Sequence, residues 1–197
     1  MKRILDCTAS DFLKMKGKDL LQSIEAAEGR TILAEVVTVA TPIYPGLTNA
    51  EYASAFGADL ILLNYFDVNH PSILGLEHIP KEELVHSLKK LVGRPVGMNL
   101  EPVDMDANSV EDLSEVPVGR MATRETLIKA KEMGVDFICL TGNPKTGVTN
   151  REIMKSIYLA KEVFQDDGFI IAGKMHGAGV RGEAGEKIVT DEDVKSF

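Results

Sequence analysis

Several residues able to do acid–base or carbonyl chemistry stand just past short apolar runs. Asn99 and Glu101 close the run 95–100, and Lys174 and His176 follow the run 169–172 within Gly-Lys-Met-His-Gly-Ala-Gly. A carboxylate can take a proton from carbon, and histidine transfers protons near neutral pH. A lysine in a partly dry site can form an imine or hold a phosphate or carboxylate as a point charge. Asn64 and Asp67 end the run 60–66, and Thr141, Gly142, Asn143 and Lys145 follow the run 137–140. This set suits proton abstraction, aldol cleavage or isomerisation of a small anion. Glu101 is the expected base, Lys174 the electrostatic anchor or imine former, and His176 the acid/base group. Asn64, Asp67, Asn99, Thr141, Asn143 and Lys145 are the expected ligand contacts. Each has a plainer use as well. Glu101 and Lys174 could pair with each other, His176 could cap a loop, and the asparagines could satisfy turn backbone. Asp104 with Asp106 could ligate a metal or sit in a solvated loop. Glu35, early in its run, reads as structural and nearer the floor.

Holding these groups together requires a scaffold, and one local pattern recurs. A helix-like stretch ends at glycine, and an apolar run follows at once: Gly57 before 60–66, Gly93 before 95–100, Gly134 before 137–140 and Gly168 before 169–172. Glycine ends helices because it adopts the left-handed conformation without a Cβ penalty. A first run, 32–40, follows a helix expected over 9–27. Further helices are predicted over 49–56, 80–92, 123–133 and 149–164, with Thr149 and Glu152 at capping-box spacing. The runs begin about 34 residues apart on average, room for a helical crossover between parallel strands. Their unbroken apolar character suits strands buried on both faces. No Gly-x-Gly-x-x-Gly follows the first run and no phosphate-loop motif occurs.

The expected fold is therefore α/β, a TIM-type (β/α) barrel forming one domain over 1–197, with a five-stranded flavodoxin-like sheet as the competing layout. Thr190-Asp191-Glu192-Asp193 reads as a helix start close to the end of the sequence. Eight units need roughly 250 residues, so the barrel is expected to be truncated after about five strand–helix units.

Side chains alternate along a strand. Asn99 and Glu101 share a face, with Met98 and Leu100 opposite. Thr141 and Asn143 share the face of Cys139, with Ile138 and Leu140 turned away. Lys174 and His176 share the face of Ala172, opposite Ile171 and Met175. The polar sets are expected to converge at the C-terminal strand ends, where α/β folds bind ligands. The long connection 102–121 has the character of a lid or of an inert insertion. Glycines 177, 179, 182 and 185 would let backbone approach an anion.

Composition narrows the partners. With 22 basic and 30 acidic residues the net charge is -8, which disfavours nucleic acid and anionic membranes. Cys7 and Cys139 make no disulfide framework and suit the cytoplasm. No apolar run approaches the roughly 18 residues of a membrane helix. The expected partner is a small anionic metabolite, and assembly with further copies of the chain is left open.

The stretch Leu47-Thr48-Asn49-Ala50-Glu51-Tyr52-Ala53 through Phe56-Gly57-Ala58-Asp59, then Ser72-Ile73-Leu74-Gly75-Leu76, resembles the early part of the phosphoenolpyruvate mutase/isocitrate lyase superfamily. The whole chain is similar to a bacterial TIM-barrel family of unknown function that often carries automatic hydrolase or phosphonomutase labels. The superfamily resemblance implies lyase or isomerase chemistry, with magnesium as the cofactor. The departures are specific. Where the superfamily carries Asp-x-Asp, the sequence reads Asn99-Leu100-Glu101-Pro102-Val103-Asp104, and the Lys-Cys-Gly-His segment of isocitrate lyases is absent. A divalent metal such as magnesium therefore has no clear motif. A haloacid dehalogenase is excluded because the first run ends Val39-Ala40-Thr41-Pro42 rather than in Asp-x-Asp-x-Thr. The expected function is a lyase or isomerase on a small phosphorylated or carboxylated metabolite. The alternatives are a metabolite-binding or regulatory barrel without turnover, or an inactive fragment.

Overall fold

The computed structural model describes residues 2–106, 115–143, 146–174 and 191–197. Its strands fall where the apolar runs do: β1 Leu33–Val37, β2 Leu60–Asn64, β3 Val96–Leu100, β4 Phe137–Leu140 and β5 Phe169–Ala172. Each pairs in parallel with the next, so the sheet order is β1-β2-β3-β4-β5. A flavodoxin-like sheet runs 2-1-3-4-5. The sequential order rules that layout out and sets all the crossovers turning the same way.

The crossover helices are α3 Asn49–Ala55, α4 Leu84–Val92, α5 Arg124–Glu132 and α6 Asn150–Phe164. Their starts are chemically marked. The hydroxyls of Thr48, Thr123 and Thr149 accept the backbone N–H groups of Glu51, Thr126 and Glu152, satisfying donors that the first turn leaves unpaired. Gly57, Gly93 and Gly134 follow helices with positive φ, as expected. Gly168 does not. There the left-handed residue is Gln165, and Gly168 is instead required by the Phe164 ring, 2.7 Å from where a Cβ would lie.

One face of the sheet carries Val36, Ile61, Leu63, Val96, Met98, Leu100, Ile138 and Leu140 against Leu88, Leu127 and Ile157 of the crossover helices. The other face carries Leu60, Leu62, Phe137, Cys139 and Phe169, covered by Ile4, Phe12, Leu20 and Ala27 from the N-terminal segment. That segment was expected as one helix over 9–27. It forms two, α1 Ala9–Phe12 and α2 Gly17–Glu25. The break lies at Gly17, at positive φ and packed so closely on the Asp166 carbonyl that a Cβ would collide with it. Tertiary contact overrides helix continuity, and the two pieces cover the N-terminal half of the inner face. Its C-terminal half stays polar. No helix among the described residues is long and apolar enough to cross a membrane.

The inner face is tightly packed at its centre. Phe137 stacks on Phe169 with ring centroids 4.9 Å apart, and a Cβ on Gly97 would collide with the Phe137 ring. Beside this stack, buried Asp136 accepts from Lys89 Nζ at 2.7 Å and from the Val96 N–H at 2.9 Å, tying α4 and β3 to the start of β4. Gly97→Ala is expected to destabilise the protein by about 1–3 kcal/mol through overpacking, read as a lower urea midpoint with an unchanged m-value.

Candidate functional site

The C-terminal ends of β1 to β4 hold most of the predicted polar residues. By strand parity Glu35, Asn64, Asn99 and Glu101 lie on the face of Leu62 and Cys139. Glu35 was expected near the floor. It sits mid-strand opposite Leu62, and its carboxylate reaches up to Asn64, whose Nδ2 donates to its Oε1 at 2.6 Å. Asn64 Oδ1 accepts the Tyr65 N–H at 2.8 Å, and Tyr65 turns the chain outward at φ 60°.

Glu101 is 4% exposed and fully engaged. Its Oε1 pairs with the Arg120 guanidinium, and its Oε2 accepts from Thr146 Oγ1 at 2.8 Å. Oε2 also lies 3.0 Å from where a Cβ on Gly142 would stand, so this turn has no room for a side chain. The Glu101 N–H donates to the Arg120 carbonyl at 2.7 Å and the Ala122 N–H to the Glu101 carbonyl at 2.8 Å. Residues 120–122 thus extend the sheet beside the end of β3. Arg120 in turn lies over the Tyr65 ring, 4.0 Å from its centroid, a favourable cation–π geometry.

Asn99 is 7% exposed, and its Oδ1 has no hydrogen-bond partner among the described residues. Its neighbour across the ladder is Cys139. Burial, with a smaller contribution from the charge of Glu35, pushes the Cys139 thiol up to about 12. It is protonated at neutral pH and unsuited to nucleophilic attack.

Other predicted contacts are spent locally. Asp67 Oδ1 accepts the N–H groups of Asn69 at 2.7 Å and His70 at 3.1 Å, and it packs where a Cβ on Gly119 would collide with it. Asn143 is half-buried, and its carbonyl accepts from the Thr146 N–H at 2.8 Å and from Thr146 Oγ1 at 2.6 Å. Thr141 is half-buried at the same strand end. Lys174 was expected to share the mouth with Glu101. It is buried, but it follows Ile170 and Ala172, which pack with the helix-side cluster. Burial lowers its amine, opposed by the charge of Asp193 on α7 Asp191–Ser196. Glu101 therefore pairs with Arg120 rather than with Lys174. His176 and Lys145 lie outside the described residues.

Arg120 escaped the sequence reading. Nothing local ties it to a carboxylate 19 residues away; the only hint was an isolated arginine after Gly119 in an acidic connection. Asp104 is likewise more than a loop acid. It accepts from Arg151 at 2.7 Å on both oxygens, from Thr149 Oγ1 at 2.9 Å and from the Asp106 N–H at 3.0 Å. It borders a groove of about 520 Å³ with Val103, Met121, Thr123, Arg151 and Lys155, between the starts of α5 and α6. The magnesium implied by the superfamily resemblance would need oxygen ligands at the end of β3. There Glu101 is occupied by Arg120 and Thr146, and Asn99 is an amide. These side chains do not fit a divalent cation.

Fold and site define an α/β protein with a sequentially ordered parallel sheet, polar at its C-terminal edge. Residues 5–197 match the family described as Domain of unknown function (DUF7916), and the chain belongs to that family. No curated protein matches it. Among solved structures it is similar to 2,3-dimethylmalate lyase, a PEP mutase/isocitrate lyase superfamily member, at 14% identity and TM-score 0.45, over 79% of this chain and 51% of that one. It is similar to a protein from Burkholderia cenocepacia J2315, described as a putative lyase/mutase, at 17% identity and TM-score 0.40, over 77% and 51%. A Salmonella typhimurium protein described as a putative alpha amylase matches at 9% identity and TM-score 0.46, over 75% and 32%. The chain spans about half the length of the first two.

Burial alone would raise the Asp104 carboxyl, but the bonds from Arg151, Thr149 and the Asp106 amide outweigh it and hold the group below its ordinary range. A carboxylate whose folded pKa is depressed stabilises above its unfolded value and loses that stabilisation as pH falls. Melting temperature is expected to fall as pH drops below about 4, and Asp104→Asn should flatten that fall while lowering the melting temperature at pH 7.

Proposed function

We propose that the chain supplies consecutive units of a TIM-type (β/α) barrel whose strand ends bind a small carboxylated or phosphorylated metabolite and act on it as a lyase or isomerase. The buried Glu101–Arg120 pair carries this reading. A guanidinium presents a planar fork that matches a carboxylate or phosphate. An incoming anion would compete with Glu101 for Arg120, aided by the Tyr65 ring already holding the guanidinium. Glu101 would then keep only the Thr146 hydroxyl, with one oxygen free to take a proton from the carbon beside the ligand's acidic group. Asn99, Thr141 and Asn143 would orient the ligand, with Asn64, Asp67 and Lys145 at the rim of the same site. Lys174, its amine lowered by burial, is the candidate anchor or imine former, and His176 the candidate acid/base group.

A second reading, a binding barrel without turnover, is favoured by one observation: both Glu101 oxygens are already bonded, one to Arg120 and one to Thr146. Incubation with small carboxylates and phosphate esters in D2O separates the two. A lyase or isomerase is expected to exchange a carbon-bound proton, followed by NMR, with Glu101→Gln slowing exchange by about 100-fold or more. A rise in melting temperature without exchange identifies a binder. Neither response to any compound would rule out both.

A further inference from the structure

Below the Glu101–Arg120 pair the inner face holds a buried acceptor that no described residue meets. Asn99 Oδ1 is buried with no partner among the described residues. Glu35 lies on the same face, exposed, where its carboxylate accepts one bond from Asn64 and forms no ion pair among the described residues. Asn64 contributes no further acceptor, because its Oδ1 already takes the Tyr65 N–H. Cys139, level with Asn99 on β4, closes the row as a protonated thiol. Buried carbonyls are almost always paired, because an unpaired one forfeits its hydration for nothing. An acceptor kept unpaired at the polar end of a sheet points to something that arrives later.

We infer that Asn99 Oδ1 and the Glu35 carboxylate form a subsite for a hydrogen-bond donor of the ligand, an O–H or an ammonium N–H. This rests on the proposed binding of an anionic metabolite by Arg120 and specifies its class. Asn99 and Glu101 are two residues apart on one strand face, about 6.6 Å. A ligand whose donor stands one or two carbons from its acidic group spans that distance. The ligand is then a hydroxy or amino acid in preference to a keto acid or an unsubstituted carboxylic acid. The surplus negative charge of Glu35 accommodates an ammonium as readily as a hydroxyl.

Four three-carbon probes differ only in this respect: lactate, alanine, pyruvate and propanoate. In NMR titrations of the whole protein, lactate or alanine is expected to bind about 10-fold more tightly than pyruvate and propanoate, since a site built for a donor rejects analogues lacking one. Which of the two wins identifies hydroxyl or ammonium. Asn99→Leu is expected to abolish the preference while raising the melting temperature, because it removes an unpaired buried carbonyl. Asn99→Asp, which keeps the acceptors, should retain the preference. Equal affinity for all four probes would overturn the subsite and leave the anion reading standing. A lower melting temperature for Asn99→Leu would assign Asn99 a structural partner and also overturn it. Failure of all four probes to bind would remove the anion reading, and the subsite with it.

Discussion

A carboxylate and a guanidinium that meet out of water at the end of β3 hold three loops in place. Glu101 and Arg120 have side chains only 6% and 15% exposed. Taking two such charges out of water is costly, and removing one partner leaves the other stranded. The arrangement persists because every neighbouring group contributes a bond. Thr146, from the loop after β4, donates to the carboxylate. Tyr65, from the loop after β2, lies under the guanidinium. The backbone of residues 120–122 is hydrogen-bonded to Glu101 itself. Small residues make the close approach possible: Gly119 lies against Asp67 and Gly142 against Glu101. The same pair that organises the strand ends is the part of them best suited to exchange partners with an anion.

The inner face is divided along the strands. Its N-terminal half is apolar and covered by Ile4, Phe12 and Leu20, with the Phe137–Phe169 stack at its centre. Its C-terminal half carries Glu35, Asn64, Asn99 and Glu101. The helix-covered face is apolar throughout. Of those four, Asn99 keeps a buried carbonyl with no partner among the described residues, a sign of compromise between stability and use.

Much of the scaffold was legible because its signals are local. Runs of apolar residues with no alternation marked β2 to β5, Thr149 marked the start of α6, and glycines after α3, α4 and α5 marked the stops. The misreadings came from contacts between distant residues. The N-terminal helix breaks at Gly17 because the Asp166 carbonyl presses on it. Gly168 looked like a helix stop, but it is small to make room for Phe164. Asp67 also ties its own turn, through backbone groups the sequence did not assign to it.

From the chain alone follow the strand–helix alternation, the parallel sheet and the gathering of polar residues at the strand ends, because hydrophobic period, capping chemistry and strand alternation act over a few residues. Which acid meets which base was decided only in three dimensions. Strand parity correctly put Asn99 with Glu101. It could not say that Glu101 would take Arg120. Such pairings depend on the register between strands and on where long loops return, and those are set by the packing of the whole sheet rather than by neighbours in the sequence.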